Sequence, residues 1–113
     1  MKAAQGEIWL ADYGTPVGRE QGFLRPALVL NGSMLDTHRM ELVVAVPLTT
    51  ANRGWVTHVE MTQGVAGLRK TSWAMAEQIR SLSTTRLRRR IGLADEEAVG
   101  RVLAVMQHLL DMP

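Results

Sequence analysis

The sequence predicts a mainly β domain with one C-terminal helix, its short antiparallel strands curled into a small SH3-like barrel or half-barrel. Three observations carry that expectation. Alternating or branched apolar runs recur between Gly, Pro and Asn turns through most of the chain. Apolar residues at helical spacing appear clearly only after Asp95. The 113 residues, 46% hydrophobic, suit one domain spanning 1–113, since compact domains usually run to ~100–150 residues.

The elements follow in order. "GEIWLAD" (Gly6–Asp12) alternates and reads as a first strand. "YGTPVGREQGFL" (Tyr13–Leu24) is long for a hairpin turn and glycine-rich, which favours a functional loop ahead of the next strand. "RPALVLN" (Arg25–Asn31) is the second strand, with Pro26 at its start because proline donates nothing to a ladder. "GSMLDTHR" turns the chain, and "ELVVAVPLT" (Glu41–Thr49) is a third strand buried on both faces. After "TANRG", "WVTHVEM" (Trp55–Met61) alternates as a fourth strand. "TQGVAGLRK" is a glycine-rich connection, and "TSWAMAEQIRSL" (Thr71–Leu82) is read as one further strand. "STTRL" offers a capped helical turn and "RRRIGLA" a last short strand. In the tail, Asp95 caps and Glu96 and Glu97 sit where the helix dipole favours acids. Val99, Val102, Leu103, Met106, Leu109 and Leu110 form its apolar face. Gly100 costs that helix ~1 kcal/mol relative to Ala, which points to close packing there.

Composition removes several kinds of chemistry. With no cysteine there is no disulfide, thiol nucleophile or thiolate metal site, in keeping with a reducing cytoplasm. No apolar run approaches the ~18 residues of a membrane span, and "MKAAQGEIWLADYG" lacks the pattern of a signal peptide. Nucleotide-loop and serine-hydrolase motifs are missing too. His58 and Glu60 share a strand face at metal-ligand spacing, but no third ligand is close in sequence, so no metal site is expected. His108 reads as a structural residue of the tail helix, and His38 lies in a turn.

The net charge is only +2, but Arg69, Lys70, Arg80, Arg86, Arg88, Arg89 and Arg90 crowd one stretch against the single acid Glu77. Such a stripe is either a solvated face or a seat for a polyanion such as nucleic acid. Polar groups also collect at strand ends beside long loops: Arg25, Thr49 with Thr50, and Glu77, Gln78 and Arg80. Taken singly they read as surface or turn residues. Together they offer a guanidinium that can grip a phosphate in a bidentate way and a hydroxyl to support it.

The order of "GEIWLADYGTPVGREQGFLRPALVL", "VVAVPLTT", "THVEM", "SWAMAEQIRSLSTTRL" and "IGLAD" resembles the MazF/PemK (CcdB-like) toxin family from Gly6 to the tail helix. The resemblance implies the CcdB-PemK form of the barrel. It further implies a homodimeric, cytoplasmic toxin of a toxin–antitoxin module that cuts single-stranded RNA, chiefly mRNA, with neither metal nor cofactor. Its products would be a 2′,3′-cyclic phosphate and a 5′-hydroxyl, and a cognate antitoxin of the MazE kind would block it. By the same resemblance Arg25 and Thr49 match the catalytic pair. Glu20 joins them, either as base or as the group that keeps Arg25 in place. Gln21, Ser72 and Gln78 match positions lining the RNA groove. Trp55 either stacks on an unpaired base or fills the barrel. Lys70-Thr71 and Phe23-Leu24 depart from the family's usual pattern, and both border the groove where base preference is set. Two other readings use the same fold: a CcdB-like poison of DNA gyrase, whose Trp-Gly-Ile ending is replaced here by "LLDMP", and a non-catalytic RNA-binding barrel.

Overall fold

The computed structural model describes residues 3–32, 40–61, 65–66 and 68–113. The turn holding His38 therefore lies outside the described residues, as does part of the "TQGVAGLRK" connection. The strands are β1 (Glu7–Asp12), β2 (Leu24–Val29), β3 (Leu42–Thr49), β4 (His58–Glu60), β5 (Val65–Ala66), β6 (Trp73–Met75), β7 (Arg80–Ser83) and β8 (Leu87–Ala94). A single α-helix, α1 (Glu96–Leu109), follows them, and 3-10 turns occupy Ala76–Gln78 and Thr84–Arg86.

Pairing is antiparallel throughout, in the order β4-β6-β3-β2-β1-β8-β5, with β7 also on β3. Among the described residues the sheet stays open, so the expected barrel is an incompletely closed one. β2 and β3 are buried on both faces. Leu28, Val46 and Leu48 join Ile8, Met61 and the helix residues Ala98, Val99 and Val102 in one core. Ala27, Val29, Val43 and Ala45 join Ala11, Tyr13, Leu82 and Leu87 in the other. Period-two alternation in the two central strands feeds both cores.

Four expectations change. The fourth strand shrinks to His58–Glu60, because the Trp55 carbonyl accepts the His58 amide at 3.0 Å and turns the chain before pairing begins. The run Thr71–Leu82 is two strands split by the Ala76–Gln78 turn. β6 pairs with Leu48 and Thr49, and β7 with Leu42–Ala45, so the interruption falls beside Pro47, which has no N–H to offer. The helix buries only Ala98, Val99 and Val102, leaving Leu103, Leu109 and Leu110 exposed. Gly100 serves no close contact, since a Cβ there would meet nothing within 4 Å.

The helix start forms as expected. The Asp95 carboxylate accepts the Ala98 amide at 2.9 Å, with Glu96 and Glu97 in the first turn. β8 pairs with β1 along Glu7–Ala11. That pairing brings Arg88 and Arg90 to the acids of β1, at 3.1 Å from Asp12 and 3.0 Å from Glu7. The Gly14 amide and the Arg88 charge hold the Asp12 carboxyl below its usual range. No described helix is long and apolar enough to cross a membrane.

Candidate active site

The site is built where β2 and β3 lie side by side. Arg25, second residue of β2, folds its head back so that Nε donates to the Gly22 carbonyl at 3.2 Å. Nη1 donates to the Leu48 carbonyl at 3.4 Å, which brings the cation to the end of β3, one residue from Thr49. Among the described residues no carboxylate pairs with it. Burial lowers the Arg25 pKa and the neighbouring Arg53 charge pushes the same way, yet a guanidinium so placed stays charged. The Thr49 hydroxyl oxygen accepts the Ala51 amide at 3.1 Å, and its own proton is left to donate.

The 3-10 turn after β6 supplies the next groups, because it lifts Ala76–Gln78 out of the ladder. Glu77 Oε2 meets Nε2 of His58 at 3.0 Å. The imidazole is almost wholly buried, and both His58 Nδ1 and Glu77 Oε1 are buried without a partner among the described residues. Gln78 turns the other way. Its Nε2 donates to the Arg19 carbonyl at 3.1 Å, and its Oε1 accepts the Gln21 amide at 3.3 Å.

That amide pins the Tyr13–Leu24 loop over a cleft of about 380 Å³ lined by Tyr13, Glu20, Gln21, Glu77, Gln78 and Arg80. The loop's neck is closed by Tyr13 N–H to the Phe23 carbonyl at 2.9 Å and Phe23 N–H to the Gly14 carbonyl at 2.7 Å. Gly22 is required there, since a Cβ would stand 2.4 Å from Cδ of Pro16. Tyr13 closes the floor of the cleft. Burial raises its phenol pKa, against the opposing charges of Arg80 and Arg25, and its hydroxyl has no partner among the described residues.

Residues 4–110 match the family described as PemK-like, MazF-like toxin of type II toxin-antitoxin system. The chain belongs to that family. The toxin is 30% identical over 108 residues to Endoribonuclease EndoA of Bacillus subtilis (strain 168), covering 95% of this chain and 93% of that protein. It is 28% identical over 99 residues to Endoribonuclease MazF of Staphylococcus saprophyticus, covering 87% and 82%. Among solved structures, MazF from Deinococcus radiodurans superposes with a TM-score of 0.84 at 26% identity over 97% of each chain. A mycobacterial endoribonuclease in complex with its cognate antitoxin shares the fold, with a TM-score of 0.81 at 23% identity over 99% and 98% of the two chains.

Within the toxin, the sequence-derived candidates fall into two groups and two separate residues. Arg25 and Thr49 come together through the Leu48 carbonyl. Glu20, Gln21 and Gln78 line one cleft, although the Glu20 carboxylate caps its own turn by accepting the Val17 amide at 3.0 Å and makes no ion pair with Arg25. Ser72 is buried and donates to the Lys70 carbonyl at 3.2 Å. Trp55 is no barrel filler: it is 47% exposed, under the Arg53 guanidinium at 5.7 Å and beside the His58 ring at 5.0 Å. His58 and Glu60 do not act as a ligand pair, since the imidazole turns to Glu77. Among the described residues no three His, Cys, Asp or Glu side chains cluster as metal ligands do.

Sequence reading passed over Arg53, Tyr13 and the His58–Glu77 couple. A signal for the couple existed in the acid preceding Gln78, but its partner lies in a different strand.

Proposed function

We propose that this endoribonuclease toxin cuts single-stranded RNA at Arg25 and Thr49, using the RNA's own 2′-hydroxyl as nucleophile. The observation that carries the reading is the Arg25 guanidinium, held by two neutral carbonyls beside the Thr49 hydroxyl and uncompensated by any carboxylate among the described residues. An in-line attack forms the 2′-O–P bond, breaks the P–5′-O bond and leaves a 2′,3′-cyclic phosphate and a 5′-hydroxyl. With the nucleophile inside the substrate, the protein's work is orientation and stabilisation of charge on the phosphorane. Arg25 neutralises that charge and Thr49 donates to a non-bridging oxygen.

Two proton moves complete the step. One group takes the 2′-hydroxyl proton and another supplies the departing 5′-oxygen. Glu77 lines the cleft with the buried His58 ring behind it at 3.0 Å, and this couple is the acid–base pair nearest that cleft once the RNA draws the Glu77 carboxylate outward. Glu20 lines the same cleft with Oε1 on the Val17 amide, and its Oε2 is a second candidate to take a proton. Gln21, Ser72, Gln78 and Trp55 border the path of the chain, with Trp55 offering a ring face to an unpaired base.

The toxin acts as a cytoplasmic homodimer restrained by an acidic antitoxin segment that folds over the cleft. Supporting this are the exposed apolar Leu103, Leu109, Leu110 and Met112 near the helix end, available to a second copy, and the antitoxin complex of the mycobacterial relative. The test is incubation of a long RNA with the purified protein in EDTA, followed by mapping of fragment ends. Discrete cuts with 5′-hydroxyl ends are expected. Losing one transition-state donor costs about 10²–10³ in rate, so Arg25→Ala should cut at least about a hundredfold more slowly. Near-full cleavage by that variant overturns the assignment.

A further inference from the structure

Phe23 departs from usual behaviour in both backbone and side chain. Its φ of 61° lies in the left-handed region, where a bulky residue other than glycine is an outlier. The conformation is locked on both sides, by Phe23 N–H to Gly14 and by Tyr13 N–H to the Phe23 carbonyl. Strain fixed in this way collects at ligand clamps and active sites. The ring, the chain's single phenylalanine, is nevertheless 65% exposed and belongs to neither core. Packing accounts for neither its strain nor its presence.

Its position suggests what does. The carbonyl just before it, that of Gly22, is the one holding Arg25 Nε at 3.2 Å. β2 runs antiparallel to β3, with Ala27 opposite Pro47, so the start of β2, which Phe23 precedes, lies at the end of β3 that carries Thr49. Unpaired RNA bases splay outward and stack on aromatic faces.

We infer that Phe23 is a base-stacking residue. It holds a base adjoining the scissile phosphate, and so takes part in setting base preference. The inference rests on the ribonuclease reading of the site.

The test uses Phe23→Gly and Phe23→Trp with a fluorescein-labelled single-stranded 2′-fluoro RNA, which lacks the nucleophile, read by fluorescence anisotropy. The glycine variant relieves the φ strain, so its melting temperature should equal or exceed that of the parent protein. Its Kd should nevertheless rise about 5- to 150-fold, the range for one lost base–aromatic stack. Phe23→Trp should keep tight binding. Removing one base from the RNA, position by position, should weaken the parent protein at the position Phe23 holds and leave Phe23→Gly indifferent there. Unchanged affinity in Phe23→Gly overturns the proposal. So does a full abasic penalty retained at every position. A fall from dimer to monomer in sedimentation, with RNA affinity intact, would assign the ring to a second copy and overturns it as well. A parent protein that binds this RNA but leaves natural RNA uncut defeats the cleavage reading alone; one that binds no RNA defeats both.

Discussion

A cation held by backbone carbonyls keeps its whole charge for a ligand, and among the described residues Arg25 is held in that way. Its place as a candidate was legible in the sequence because an Arg-Pro at the mouth of a strand, a strand-end Thr pair and the surrounding motifs form a recognisable order. His58 and Glu77 were not legible as a couple. They come from β4 and from a 3-10 turn, and only the fold places Nε2 and Oε2 at 3.0 Å. If they move protons together, each single change removes the same function. General acid–base catalysis contributes typically 10²–10⁴-fold, so His58→Gln and Glu77→Gln should each slow cleavage by about a hundredfold. The double variant should be no slower than either one. Single-turnover rates at saturating RNA, with melting temperatures as the control, decide the matter. Effects that multiply in the double variant would mean that the two act independently.

At the scale of elements, the interruption between β6 and β7 is what makes the site. One continuous strand from Thr71 to Leu82 was the natural reading of its apolar pattern, and local pattern carries no record of which partner residue lacks an N–H. Pro47 lies on β3 beside the gap, and the chain leaves the ladder there, sending Glu77 to His58 and Gln78 to the loop. The helix shows the opposite case. Its cap and first-turn acids were plain in the sequence, while the extent of its buried face was not, because exposure depends on what covers it. Gly100 lies on the uncovered side, where an added methyl meets open space. Gly100→Ala should therefore stabilise the fold by about 1 kcal/mol through helix propensity alone. For a domain near this size that is a rise of roughly 4 °C in Tm. A loss of stability would show that something in solution packs against that glycine.

For the molecule as a whole, the basic stripe must be sorted by what already neutralises it. Arg88 and Arg90 are paired with Asp12 and Glu7 across the β1–β8 ladder, and Arg86 donates to the Asp12 carbonyl at 3.2 Å. Those charges stabilise the sheet edge more than they attract RNA. Arg80 differs: it lies over the Tyr13 ring at 5.7 Å, lines the cleft and, among the described residues, has no acidic partner. A phosphate entering the cleft would meet Arg80, while one passing β8 would have to compete with Glu7 for Arg90. Each phosphate neutralised on a single strand contributes about −0.7 to the slope of log K against log salt. Arg80→Gln should therefore flatten that slope by about 0.7 for a single-stranded RNA, and Arg90→Gln should leave it where it was. Binding titrations across a salt series measure both slopes, with melting temperatures separating lost contacts from lost folding. The reverse outcome, a flattened slope for Arg90→Gln and none for Arg80→Gln, would move the RNA path from the cleft to the β1–β8 edge.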